Sequence, residues 1–219
     1  MVESGDELGL VGMQIGMDRE QKRVIITQPK HIERIIETFQ VTKGAPSPAM
    51  VKLMADDEYS ALLKDQLDYM SKCAMLMFIS QRTYPEIYPA VIKLPTKYNK
   101  AIEDDMKKAM RVAEYIYGTK YTHKMVLKPT SMKLTSAADA SYAKYPDGKS
   151  HSGGVVGFES DTSCYFWFAS SKQPVVAKSS GEAELIAHNK VGDLIELKSW
   201  DIHRTKHPCW LTVHVQGKC

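Results

Sequence analysis

Two glutamates stand two residues apart in the segment KSSGEAEL, at residues 178–185. Ser179 and Glu182 match the capping box, in which the Glu side chain accepts a hydrogen bond from the backbone N–H of the N-cap residue. The capping box accounts for Glu182 at the start of a helix. Glu184 lies about 200° further around such a helix, at the head of the stripe predicted to face a sheet. There it is either compensated by a metal ion or an exposed acid of the first helical turn.

The second carboxylate of interest is Asp139, in the segment SAADASYA. Strands disfavour Asp, and the small neighbouring residues leave room for another chain or a ligand. The alternative interpretation is an Asp that ends a strand and starts a turn. One carboxylate on a strand and one at a helix start could share Mg²⁺, which takes oxygen ligands. Two such ions can activate a water and stabilise the leaving oxygen in phosphodiester hydrolysis.

The first part of the chain, residues 1–125, is predicted to be mainly helical after an N-terminal hairpin. Two β-rich runs, about Leu10–Met17 and Arg23–Thr27, flank a polar turn. Apolar residues in HIERIIETFQ recur at i, i+3, i+4 and i+7, which predicts an amphipathic helix. A long helix is predicted in the segment ending CAMLMFI. The clearest helix is IEDDMKKAMRVAEYIYGT, which Gly118 can close.

Near residues 120–130 the pattern changes to short strands separated by turn residues. Residues 130–197 are predicted to fold as strand, strand, strand and helix, with the helix running from about Ser180 to Leu197. The predicted fold class is α/β, of the α+β type. It combines a mainly helical region and its hairpin with a truncated mixed sheet on which a helix packs.

Composition limits the class of protein. The chain has 219 residues, of which 43% are hydrophobic, so it can bury a core. A net charge of +3 is compatible with a nucleic-acid partner without requiring one. No apolar run is long enough to cross a membrane, and MVESGDELGL lacks the layout of a signal peptide. Four scattered cysteines are typical of reduced intracellular thiols. We therefore expect a cytoplasmic or nuclear protein.

Several motifs together resemble a known family. ADASYA, KSHSGGVVGF and FWFASSKQPVVAKSSGEAELIA resemble the ribonuclease H domain of Ty1/copia-type retrotransposon polyproteins. Upstream, LVGMQIGMD, VIITQPKHIERIIETF, YMSKCAMLMFISQRTYPEIYPAVIKL and MRVAEYIYGT resemble the segment that connects the reverse transcriptase to that domain. The likeness covers about residues 8–197, in the family's order.

The resemblance implies a reverse transcriptase connection or thumb-like region at residues 1–125 and a partial ribonuclease H-like domain at 130–197. It implies a mixed sheet that opens with three antiparallel strands followed by a helix. The implied reaction is Mg²⁺-dependent cleavage of RNA in an RNA–DNA hybrid, with Asp139 and Glu184 as catalytic metal ligands. The implied partners are the hybrid or another nucleic acid and the upstream polymerase part of the polyprotein.

The sequence departs from the family where further carboxylates are needed. The third family carboxylate ends a later strand, usually as Asp-Asn, and neither such a strand nor such a pair is predicted here. Asp193 is out of phase on the same helix, and Asp201 follows no predicted strand. Asp56 and Asp57, in MADD, are interpreted as helix-start acids rather than as a polymerase turn. Residues 198–219 are predicted to be an aberrant or disordered tail, and the chain is expected to be inactive or very weakly active.

Three alternatives stay open at this point. The tail has a partial zinc-knuckle spacing in Cys209, His214 and Cys219, but a fourth ligand is missing. The chain could instead be a non-catalytic nucleic-acid-binding or interaction module. It could also be a relic that does not fold stably, because a sheet without its later strands has an unpaired edge. The isolated histidines are predicted to be surface or hydrogen-bonded residues rather than metal ligands; they are His31, His123, His151 and His188.

Overall fold

The computed structural model describes residues 7–49, 59–204 and 214–215. Within these ranges the chain forms five α-helices and two four-stranded sheets. The protein is therefore of the predicted α+β class. It divides into two compact units, Met1–Met125 and Val126–Cys219. In the described part of the chain, no helix combines the length and the apolar character needed to cross a membrane.

The first sheet contains the predicted hairpin, formed by its second and third strands, and two strands that were not predicted. Its strands lie in the order β1 (Glu7–Leu10), β2 (Met13–Asp18), β3 (Arg23–Thr27) and β4 (Met125–Leu127). The run predicted as one strand, Leu10–Met17, is split because Val11 and Gly12 form a two-residue turn. Both have positive φ, 49° and 75°, as a tight turn between antiparallel strands requires.

Four helices form the core of the first unit. They are α1 (Pro29–Phe39), α2 (Gln66–Ser80), α3 (Tyr88–Val91) and α4 (Glu103–Thr119). The side chains of Ile35, Leu76 and Ile116 are fully buried where α1, α2 and α4 meet. Gly118 does not end α4 as predicted. Instead, its lack of a side chain lets the loop that follows α1 approach closely, since a Cβ on Gly44 would lie 2.9 Å from the Gly118 Cα.

A half-buried histidine makes the stability of the first unit depend on pH. His123 Nδ1 lies 3.0 Å from Glu86 Oε1, its Nε2 donates to the Thr83 carbonyl, and its ring stacks on Tyr84. Burial opposes the charged ring, but the hydrogen bonds to Glu86 and Thr83 outweigh it and raise the pKa of His123 above 6.5. A raised pKa in the folded state stabilises the protein fully below pH 6.5, and this contribution is lost as the pH rises through the folded value.

We therefore expect His123→Gln to destabilise the first unit more at pH 5.5 than at pH 8.5. The difference should stay below about 1 kcal/mol because the pair is partly exposed to solvent. Urea unfolding followed by circular dichroism at the two pH values measures it. The comparison with the variant is needed because burial lowers the pKa of His31, whose contribution has the opposite sign. An equal loss at both pH values would contradict the assignment of a charged His123.

The second unit is a sheet with one helix packed on it. Its elements are β5 (Leu134–Ser141), β6 (His151–Phe158), β7 (Tyr165–Lys172), α5 (Ser180–Arg204) and β8 (His214–Val215). The sheet order is β7-β6-β5-β8, with β5, β6 and β7 antiparallel and β8 parallel to β5. The predicted order of three strands and a helix is present. Helix α5 packs on β5 and β6 through a buried stripe at every fourth residue: Ala183, Ala187, Val191 and Ile195.

The prediction of an aberrant or disordered tail at residues 198–219 is wrong for part of that range. Helix α5 continues to Arg204, past the predicted end at Leu197, and His214–Val215 form β8. The prediction of no later strand is corrected with it, since Thr135 and Ser136 pair with β8. The β-branched alternation in LTVHV carried that signal. Asp56, Asp57, Cys209 and Cys219 lie outside the described residues, so the predictions about them stay predictions.

Candidate carboxylate site

Glu182, the first of the two glutamates, takes part in capping the start of α5. Ser179 Oγ accepts a hydrogen bond from the Glu182 N–H at 3.1 Å, as the capping box predicts. The Glu182 carboxylate accepts from the Lys178 N–H at 2.6 Å, one residue before the predicted donor. The long Glu side chain thus reaches past the N-cap residue. Glu182 is held by the helix start, and Glu184 is left for other contacts.

Glu184 approaches the strand that carries Asp139. Its Oε1 accepts a hydrogen bond from the Ala140 N–H at 3.3 Å, and Ala140 directly follows Asp139. Standard bond lengths place the Ala140 nitrogen about 2.4 Å from the Asp139 Cα, so Oε1 lies within about 6 Å of that Cα. The structure therefore brings the two predicted residues together at the edge of β5.

The position of Glu184 on α5 differs slightly from the prediction. The buried stripe begins with Ala183, and Glu184 is the next residue, half-buried and turned by about 100°. It flanks the stripe instead of heading it. This rotation directs the side chain to the edge of β5.

Asp139 and Glu184 line the same cavity, which has a volume of about 680 Å³. Asp139 itself is exposed, as is Ala137 two residues before it. Leu134 belongs instead to the apolar cluster beneath α5. Because strand residues alternate between faces, Asp139 belongs to the face away from α5. Both residues line the cavity at the edge of β5, Glu184 from the helix and Asp139 from the opposite face of the strand.

Two adjacent glycines on β6 make this arrangement possible. Gly153 pairs with Asp139 across the ladder, and a Cβ on Gly153 would meet nothing within 4 Å. The space beside the carboxylate therefore stays open. Gly154 points the other way, and a Cβ there would collide with the Val191 side chain of α5. Sequence reasoning missed both positions, although a glycine pair inside a strand signals close approach.

The four isolated histidines make hydrogen bonds. His31 bonds to the Met75 carbonyl, His123 to Thr83 and Glu86, and His151 to Tyr145 and Ser170. The prediction of hydrogen-bonded histidines is confirmed for these three and for His188. His188 also lines the cavity, where its Nδ1 lies 2.9 Å from the Glu184 carbonyl. That bond fixes the ring beside the carboxylates.

The donor set suits a hard cation in type but is small in number. Asp139 and Glu184 offer carboxylate oxygens, the ligands that Mg²⁺ prefers, with water completing its octahedron. Among the described residues, no group of three or more His, Cys, Asp and Glu side chains is placed to hold a metal. Strand β8, which lies beside β5, carries His214 and Val215, and Asp193 is exposed. Among the residues that the structure describes, the pair therefore offers ligands for one cation.

No model of a known protein family matches this chain, and neither does any curated protein. The likeness to retrotransposon proteins therefore depends on the motifs quoted above. The chemistry of the site depends on the geometry of Asp139, Glu184 and Ala140.

Proposed function

We propose that the chain is a part of a Ty1/copia-type retrotransposon polyprotein. Residues 1–125 would be the connection region, and residues 130–197 the N-terminal part of a ribonuclease H-like domain. The order of the motifs along the chain supports this assignment. So does the topology of the second unit, in which three antiparallel strands precede a helix that packs on them.

The observation that carries the proposal is the bond from the Ala140 N–H to Glu184 Oε1. It holds the Glu184 carboxylate beside Asp139 at the open edge of a cavity large enough for a nucleic-acid backbone. In this function, Asp139 and Glu184 bind Mg²⁺ and Ala140 orients the glutamate. When bound, Mg²⁺ activates water and stabilises the leaving oxygen in cleavage of the RNA strand of an RNA–DNA hybrid.

The same geometry limits the rate. Two ions held about 4 Å apart stabilise both the attacking and the leaving oxygen, and two carboxylates cannot fix both ions. We therefore expect the chain to bind one cation and to cleave hybrid no faster than background. The ancestral activity is a nuclease, and its remnant is a binding site.

A second candidate is a non-catalytic nucleic-acid-binding module. It is favoured by a cavity of about 620 Å³ beside the start of α1, lined by Lys30, His31, Arg34 and Phe78 among others. Arg82 stacks on Phe78, with its guanidinium carbon 3.7 Å from the ring centroid. Cations grouped around a groove attract phosphates.

Cation binding tests the site. We expect titration calorimetry with Mn²⁺ to detect one site per chain, which Asp139→Asn or Glu184→Gln weakens at least tenfold. Glu182→Gln is the matched control, because it removes a neighbouring carboxylate that caps the helix, and cation binding should survive it. If neither Asp139→Asn nor Glu184→Gln changes cation binding, the proposed site is wrong.

Cleavage and binding of a labelled RNA–DNA hybrid separate the two candidate functions. Binding that falls steeply with salt, without cleavage, supports the module. Mg²⁺-dependent multiple turnover that Asp139→Asn abolishes would support the nuclease and overturn the expectation of inactivity. Absence of hybrid binding at low salt would contradict both.

A further inference from the structure

A smaller cavity of about 250 Å³ lies in the first unit, beside the start of α1. Among its lining residues are Gln28, Lys120, Tyr121, His123 and Lys124. Pockets that enclose a drug-sized ligand usually hold roughly 300–1,000 Å³. This cavity is therefore large enough for one ring or one small polar group of a ligand, and the remainder of the ligand would lie outside.

A buried hydrogen-bond donor in this cavity has no partner. Gln28 is 0% exposed, and its Oε1 accepts a bond from the Thr83 hydroxyl at 2.8 Å. That bond fixes the orientation of the amide. The Nε2 group then has no hydrogen-bond partner among the described residues. Because buried donors are nearly always satisfied, the site calls for an acceptor.

Two lysines also border the cavity. Lys120 and Lys124 line it, and the lining residues that the structure describes include no carboxylate. Lys120 Nζ lies 4.2 Å from the Tyr117 ring centroid and 4.8 Å from that of Tyr121. These cation–π contacts hold its charge in place. His123 also lines the cavity, with its two ring nitrogens bonded to Glu86 and to the Thr83 carbonyl.

An exposed aromatic ring stands at the mouth. Tyr121 is 84% exposed, which is unusual for a large side chain that borders a cavity. One part of its surface contacts Lys120, and the rest faces solvent. Exposed aromatic rings beside basic residues are the platforms on which nucleic-acid bases stack.

We propose that this cavity binds a pyrimidine nucleotide, either free or as one unit of a single strand. A base carbonyl oxygen accepts from Gln28 Nε2 inside the cavity, and the phosphate lies at the mouth near Lys120 and Lys124. In a strand, the neighbouring base stacks on Tyr121. The inference rests on the proposed function only for the choice of a nucleotide as the ligand.

Binding of uridine monophosphate and of a six-residue oligothymidylate to the full chain tests the proposal. Lys124→Glu should weaken both ligands about tenfold. Lys100→Glu is the matched control: Lys100 is exposed in the same unit but does not line the cavity, so its variant should bind the free nucleotide as the parent does. Tyr121→Ala should weaken binding of the oligonucleotide by about five- to a hundredfold and leave binding of the free nucleotide unchanged. This difference distinguishes a free nucleotide from a unit of a single strand as the ligand.

Gln28→Met removes the buried donor and should weaken both ligands about tenfold. If that variant does not fold, the proposal is decided by comparing ligand binding of Lys124→Glu with that of Lys100→Glu. No binding of either ligand at millimolar concentration, or equal losses for Lys124→Glu and Lys100→Glu, would overturn the proposal. Asp139→Asn and Glu184→Gln should leave uridine monophosphate binding unchanged. If the parent chain binds the nucleotide but no Mn²⁺, the result contradicts the proposed nuclease ancestry and leaves the nucleotide site standing.

Discussion

Replacing Gly154 with valine is expected to lower the free energy of unfolding of the second unit by about 3 kcal/mol. A Cβ at this position collides with the Val191 side chain, which is buried between α5 and the sheet. The helix must shift outward to relieve the clash, and the apolar stripe of α5 then loses contact with β5 and β6. The same shift withdraws Glu184 from Ala140 and from Asp139.

Tryptophan fluorescence during urea unfolding measures this effect, because all three tryptophans belong to the second unit. Gly153→Val is the control on the same strand, where a side chain meets open space and β-branched residues are favoured. It should be neutral or slightly stabilising. Val191→Ala should partly rescue Gly154→Ala, since it removes the colliding methyl groups. Equal losses for Gly153→Val and Gly154→Val would refute the close approach of the helix.

Leu76→Ala should destabilise the first unit by about 2–5 kcal/mol. Leu76 is fully buried among α1, α2 and α4, so its truncation removes apolar burial and leaves a cavity that rigid neighbours cannot fill. Leu67 lies on the same helix and is 72% exposed. Leu67→Ala should therefore change stability by less than about 0.5 kcal/mol.

Circular dichroism at 222 nm follows this prediction, because α1 to α4 give the first unit most of its signal. Both leucine variants keep the helix propensity of α2, since leucine and alanine are both strong helix formers. The difference between the two stability losses therefore reports the effect of burying the leucine side chain. A loss for Leu67→Ala as large as that for Leu76→Ala would show that the core of the first unit lies elsewhere.

Local periodicity predicted the elements whose contacts are local. In HIERIIETFQ the spacing of Ile32, Ile35 and Phe39 predicts one buried face, and these three side chains are buried in α1. The succession of three strands and a helix along the second unit also followed from alternation and turn residues. In both cases the sequence pattern and the burial have the same period, so the pattern alone predicts the element.

Elements set by distant pairing or by backbone conformation were missed. Strand β8 is only two residues long and pairs with Thr135 and Ser136, far away in sequence. The alternation in LTVHV indicates a strand, but no local period reports which distant strand it pairs with. The split between β1 and β2 depends on positive φ at Val11, a β-branched residue that disfavours that conformation.

The sequence indicated that Asp139 and Glu184 lie near each other, but not the detail of their arrangement. Capping chemistry singled out Glu184 because it assigned Glu182 to the helix start, and both assignments agree with the hydrogen bonds. The exposure of Asp139 depends on which part of β5 has no neighbouring strand beside it. That part is defined by the whole sheet and not by the segment around Asp139.

The bond between Glu184 and Ala140 also protects the sheet. Oε1 of Glu184 satisfies a main-chain donor at a sheet margin where His214 and Val215 of β8 provide no ladder partner. Unpaired donors at a strand edge are templates on which another chain can pair. The same side chain therefore shields this margin of β5 from edge-to-edge association.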